Sequence, residues 1–137
     1  MNNFLDILKE KELKATPQRI SVLKELSKKN HPSMEDLYEA IKKENPSISL
    51  ATVYKNISML KEKGVVIEVN ISDGKMRYDI YTKPHIHLLC KNCSYIEDIE
   101  YNEHLFNYQA KLEESKKIKI ERLDIIATVE YCSHCKK

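Results

Sequence analysis

All four cysteines of the chain fall in two C-x-x-C pairs, Cys90/Cys93 and Cys132/Cys135. The short gap lets both thiolates of a pair face one ion from a tight turn. Two such turns make the tetrahedral sulfur environment that zinc favours in structural sites. The interval between the pairs exceeds that of a compact zinc ribbon, so the fold must carry the end of the chain back beside the first pair. A disulfide reading is weaker, because nothing in the sequence points to an oxidising compartment. A catalytic dithiol needs only one pair. Closure by four thiolates leaves no open position for substrate, so the expected Zn2+ is structural.

A second set of donors stands just before the first pair. In His85-Ile86-His87 the imidazoles are two residues apart, and alternate residues of a strand share a face. Asp79 lies shortly upstream and Asp98 on the next expected strand. Each of these also has a plainer reading. An H-x-H is as often a pair of surface histidines, the aspartates could be solvated carboxylates, and His31 before Pro32 could be a helix-entry residue. His104 and His134 are read as ordinary, although His134, inside the second C-x-x-C, could substitute as a zinc ligand.

The elements that must position these groups change character along the chain. Phe4, Leu5 and Leu8 give a short first helical stripe. Thr16-Pro17 opens a second helix, Thr as cap and Pro at a position whose missing amide costs nothing; Ile20, Leu23 and Leu26 continue it. Ser33 to Asp36 resembles a capping box, and Met34, Leu37, Tyr38 and Ile41 follow with amphipathic helical spacing. A fourth helix starts near Ser49 with Leu50, Val53, Ile57 and Leu60 on one side, and Gly64 ends it. The texture then becomes extended: Val65 to Val69, a turn at Ser72-Asp73-Gly74, and Met76 to Tyr81. Helices followed by a hairpin describe a winged helix-turn-helix. Thr82-Lys83-Pro84 reads as a hinge. Beyond it the expectation is strands at His85 to Leu89 and Tyr95 to Ile99, a polar helix from Glu103 to Lys117, a strand over most of Ile118 to Val129, and a tail from Cys132 to Lys137.

The fold class expected is therefore α+β, with a winged-helix domain over 1–83 and a small α/β dimerisation and metal-binding domain over 84–137. Each part is below the size at which a core is comfortable alone, and metals or partner subunits often support such domains. Hydrophobic residues make up 42% and charged residues 32% of the 137, which argues against wholesale disorder. Net charge is +2. Through Lys83 there are 15 basic and 12 acidic residues, and beyond it 8 and 9; this permits nucleic-acid binding without establishing it. No apolar run nears the roughly 20 residues needed to span a bilayer. Met1-Asn2-Asn3-Phe4 does not begin an export signal, so a cytoplasmic location with no membrane partner is expected.

Several stretches together carry a resemblance. Leu13-Lys14-Ala15-Thr16-Pro17-Gln18-Arg19, His31-Pro32, Ser49-Leu50-Ala51-Thr52-Val53-Tyr54, His85-Ile86-His87 and both cysteine pairs, in this order over almost the whole chain, are similar to the Fur family of metal-dependent bacterial transcription regulators. Within it the pattern most resembles the peroxide-sensing branch, PerR. That branch implies a regulatory metal held by His31, Asp79, His85, His87 and Asp98. The iron-uptake branch usually has Glu at the position of Asp98 and an acidic residue where Ile86 stands, and a histidine of its additional site is replaced near Arg122. Three imidazoles and two carboxylates suit Fe2+ or Mn2+. The resemblance implies peroxide oxidation of His31 or His85 when iron is bound. It also implies a homodimer on an inverted-repeat operator in double-stranded DNA.

The fourth helix is then the expected recognition helix. Ala51, Lys55, Ser58 and Glu62 lie opposite its apolar side and Tyr54 at the flank. The resemblance implies that Tyr54 meets a base, and Lys55 would meet a phosphate or a base edge. Lys14 and Arg19 match positions near the DNA backbone or minor groove; solvated charge is the plainer reading. A close rival is an iron-, zinc- or manganese-uptake regulator on the same fold. A rival of another class is a metalloenzyme using the His/Asp site, but no separate acid-base constellation or nucleotide-binding glycine loop is present, and the expectation is a non-enzyme. A zinc-ribbon interaction subunit without regulated DNA binding is a third.

Overall fold

The computed structural model of the protein describes residues 4–70, 74–81 and 83–135. Ser72 and Asp73 of the expected turn, Thr82 of the hinge, the Met1-Asn2-Asn3 start and the last two residues of the tail lie outside the described residues. The chain divides into two compact units, Met1–Thr82 and Lys83–Lys137.

The first unit is helical, then extended: α1 (Phe4–Glu10), α2 (Pro17–Leu26), α3 (Met34–Glu44), α4 (Leu50–Glu62), β1 (Val66–Asn70) and β2 (Met76–Ile80). Side-chain capping starts three of the helices. Thr16 accepts from the Arg19 amide at 3.2 Å, Ser49 accepts from the Thr52 amide at 3.1 Å, and Ser33 and Asp36 form a reciprocal capping box. Each satisfies amides that the first helical turn would leave orphaned. Gly64 follows α4 in the left-handed region at φ +77°, which a residue without Cβ reaches cheaply. β1 and β2 pair antiparallel, with Ile67 opposite Asp79. Leu8, Leu23, Leu37, Val53, Ile57, Leu60, Val65, Val66 and Ile80 belong to one continuous core. Helices packed on a two-stranded wing make this a winged helix-turn-helix.

Leu50 departs from expectation. It shares the inward side of α4 but heads its first turn, and it is 47% exposed. Asn56 joins Val53, Ile57 and Leu60 on the buried side instead.

The second unit contains β3 (His85–Cys90), β4 (Ile96–Glu100), α5 (Glu103–Lys116) and β5 (Ile126–Val129). β3 is central, antiparallel to β4 and parallel to β5. The long strand expected from Ile118 is therefore a correction: only its last four residues pair. Lys117 ends α5 in the left-handed region at φ 56°. The chain then folds back, the Ile120 amide donating to Glu113 Oε2 at 2.7 Å and the Leu123 carbonyl accepting from the Tyr101 hydroxyl at 2.8 Å. Those bonds engage residues 120 and 123 away from the sheet, and the chain rejoins β3 where the Ile125 carbonyl accepts from the His87 amide at 3.1 Å. α5 buries none of its residues. Among the described residues, no helix is long and apolar enough to cross a membrane.

Candidate functional site

The parallel pairing of β5 to β3 explains how two distant cysteine pairs meet. Cys90, the last residue of β3, lies opposite Val129. The chain leaving β5 therefore delivers Cys132 and Cys135 to the turn that carries Cys93. The four Sγ atoms lie within 4.8 Å of one another. Individual separations are 3.6 Å for Cys90–Cys135, 3.5 Å for Cys93–Cys132 and 3.7 Å for Cys132–Cys135. These are far from the ~2.05 Å of a disulfide. They approach the ~3.8 Å edge of a sulfur tetrahedron built on Zn–S bonds of about 2.3 Å.

The electrostatics agree with a cation site. Burial works against the Cys90 thiolate, yet hydrogen bonds from the Cys93 backbone and the Cys135 thiol outweigh it and bring its pKa down to about 6. At Cys93 the Tyr95 amide favours the thiolate, but burial and the neighbouring sulfurs push the pKa up to about 12. Thiols this close cannot all ionise beside one another without a positive charge among them, and a dication held by the four thiolates would supply it. His134 lies against Tyr95 in a tilted ring contact, 4.0 Å between centroids, and the clustered donors are the four cysteines.

A second convergence lies on the same sheet. His85 and His87 are both 6% exposed, and β3–β4 register sets His87 opposite Asp98. Their Nε2 atoms are 3.2 Å apart. Asp98 Oδ1 is 3.3 Å from His87 Nε2 and 3.9 Å from His85 Nε2. His85 Nδ1 sits 3.0 Å from the Lys83 carbonyl. Donation from Nδ1 to that carbonyl leaves the Nε2 lone pair facing His87 and Asp98, the tautomer a metal-binding imidazole needs. Two nitrogens and a carboxylate oxygen thus point at one place.

The first unit holds a smaller convergence. His31 and Asp79 are 3% and 1% exposed, with His31 Nε2 3.7 Å from Asp79 Oδ2. His31 occupies the left-handed region at φ 48°, an uncommon conformation for a non-glycine residue. The Arg77 guanidinium donates to its carbonyl at 3.4 Å. His104 is exposed on α5.

On α4, Tyr54 is 60% exposed, and Ala51, Lys55, Ser58 and Glu62 are exposed with it. Lys14 is exposed, while Arg19 is half-buried and tied down. Its Nε donates to Asn56 Oδ1 at 3.3 Å and its Nη1 to the Lys14 carbonyl at 2.8 Å. Asn56 also donates to the Thr52 carbonyl at 3.0 Å. Arg19 is thus neither simply solvated nor simply presented outward: it links α2 to the inner side of α4. Sequence reasoning missed Asn56. The available signal was an amide three residues after Val53 and next to Ile57, inside an otherwise apolar stripe.

A family model described as the ferric uptake regulator family matches residues 10–128. The peroxide operon regulator of Bacillus subtilis is 37% identical over 102 residues, 74% of this chain and 70% of that protein. The peroxide-responsive repressor PerR of Staphylococcus aureus is 36% identical over 95 residues, 69% of this chain and 64% of that protein, so the match spans somewhat less than two thirds of its length. Among solved structures, the Campylobacter jejuni peroxide stress regulator superimposes with a TM-score of 0.82 at 47% identity, covering 98% of this chain and all (100%) of that one.

Proposed function

Because the chain belongs to the ferric uptake regulator family, and most resembles its peroxide regulators, we propose that it is a metal-dependent DNA-binding repressor that senses peroxide. The observation carrying this reading is that nitrogen and oxygen donors draw close within each unit, His31 with Asp79 and His85 with His87 and Asp98.

In this reading Cys90, Cys93, Cys132 and Cys135 hold a structural zinc. His31, Asp79, His85, His87 and Asp98 unite around one Fe2+ or Mn2+, a donor set harder than thiolates and suited to those ions. Bound iron supplies the chemistry by which peroxide oxidises a ligating imidazole, His31 or His85, and manganese is far less prone to it. The residues do the rest. Because the ligands come from both sides of Pro84, closing them on one cation ties the winged helix of residues 1–83 to the part over 84–137. In a homodimer this sets the spacing of two recognition helices on an inverted repeat. Loss of one imidazole donor weakens the tie and releases the operator. The protein acts in the cytoplasm, on DNA rather than on a turned-over substrate.

The test compares operator binding by the Fe2+ and Mn2+ forms before and after peroxide. Release by the iron form, retention by the manganese form, and a gain of one oxygen mass on the peptide holding His31 or His85 are expected. An iron form that keeps its operator affinity through peroxide treatment rejects the peroxide reading in favour of a metal-uptake regulator.

The DNA-reading assignment rests on α4. Tyr54→Ala removes an exposed ring and no core contact, so circular dichroism and melting should be unchanged. Operator affinity should fall about tenfold, the scale of one lost base-pair contact. Lys14, Arg19 and Lys55 complete the proposed contact set. Unchanged operator affinity in Tyr54→Ala would move base reading away from this flank of the helix.

A further inference from the structure

Asp79 is among the least exposed side chains of the protein. A carboxylate so placed is not tolerated charged without a compensating cation. The structure supplies one from 50 residues earlier. Lys29 Nζ lies 3.4 Å from Asp79 Oδ1 and 3.3 Å from the Ile80 carbonyl oxygen. Lys29 and His31 are both in the left-handed region, at φ 59° and 48°. That double turn brings their side chains onto one carboxylate by different oxygens, the ammonium at Oδ1 and the imidazole at Oδ2. The Lys29 side chain is itself 44% exposed, so its ammonium has water to withdraw into.

We propose that Lys29 is a stand-in cation of the regulatory metal site, neutralising Asp79 when no metal is bound and setting how tightly metal binds. The inference rests on the site reading given above, in which Asp79 is a ligand. A divalent ion arriving at Asp79 must displace the ammonium or share the carboxylate with it. Sharing places two positive charges about one carboxylate width apart; displacement gives up the ion pair and a hydrogen bond to Ile80. Either route weakens metal binding, and the partial exposure of Lys29 keeps the penalty modest through solvent screening, about tenfold in affinity. Lys29 thereby makes the empty site a stable alternative to the loaded one, which a sensor needs and a permanently filled site does not.

The experiment is titration of full-length, zinc-loaded protein with Mn2+, following free Mn2+ by electron paramagnetic resonance. K29M and K29Q should bind Mn2+ about tenfold more tightly than wild type, and K29R, which keeps the charge, should stay within about twofold of it. The gain should vanish in a D79N background, because charge removal acts only through that carboxylate. The metal-free K29M protein should also melt a few degrees lower than wild type, and Mn2+ should erase the difference. If K29M is too unstable, K29Q carries the same affinity test with a polar side chain. Mn2+ affinity unchanged or weakened in K29M or K29Q, while D79N weakens Mn2+ binding measurably, overturns the role of Lys29 alone. Mn2+ affinity unaltered by D79N overturns the site reading beneath it.

Discussion

Removing zinc from the cysteine cluster should unfold residues 83–137 and leave the winged helix standing. The second unit has little else to hold it. Among the described residues its buried hydrophobic side chains are Leu89, Cys90, Ile96 and Cys132, so half of that short set are cysteines of the four-thiol cluster. α5 buries nothing, and β5 is held by four residues of parallel pairing along β3. Structural zinc contributes about 10–16 kcal/mol of apparent binding free energy in small peptides. Whole domains are stable by roughly 5–15 kcal/mol, so losing a contribution of that size takes away most or all of the stability of a unit with so small a core. By contrast, the first unit keeps its apolar core, which includes no cysteine. Chelation, or the single change Cys93→Ser, should therefore abolish amide-exchange protection in β3, β4 and β5. Protection in α2, α3 and α4 should persist, and gel filtration should show loss of the dimer. A zinc-free protein that kept its β3 amides protected would show that the cysteines are not the staple.

His87→Ala should uncouple DNA binding from the regulatory metal while leaving zinc in place. His87 is the nearer of the two β3 imidazoles to the Asp98 carboxylate, at 3.3 Å against 3.9 Å for His85, and sits directly opposite it in the β3–β4 register. Its removal takes one donor from the proposed five and leaves His85 without its neighbouring nitrogen. If the DNA-competent arrangement is about 1% populated without metal, apparent operator affinity falls about 100-fold when metal can no longer select it. The expected result is that Mn2+-supplemented His87→Ala protein binds its operator no better than metal-free wild type, with zinc content and melting of the cysteine-stapled unit preserved. His104→Ala, on the exposed side of α5, serves as the control that should change neither. Full Mn2+-dependent operator binding by His87→Ala would remove this histidine from the switch.

How far these expectations could be read without coordinates differs by residue. The helix starts at Thr16, Ser33 and Ser49 were legible because capping is a bond between residues three apart, and a local bond leaves a local signature. The two C-x-x-C pairs and the H-x-H were legible for the same reason: their geometry follows from one turn and one strand. The strand expected over most of 118–129 was only partly right. The segment is rich in Ile, Leu and Val, but the Ile120 amide donates to Glu113 and the Leu123 carbonyl accepts from Tyr101, and strand propensity carries no information about such partners.

Local spacing by itself determined the winged-helix order, the pairing of each cysteine with its near neighbour and the shared face of His85 and His87, since all of these arise between residues a few positions apart. Only the tertiary structure decided which strand lies beside which, and so that Asp98 faces His87 and that Cys132 and Cys135 return to Cys90 and Cys93. It also decided that Asn56 anchors Arg19 and that Lys29 meets Asp79. Contacts across tens of residues depend on how whole elements pack, and hydrophobic packing constrains an element's inward face without naming the polar group that will be waiting there.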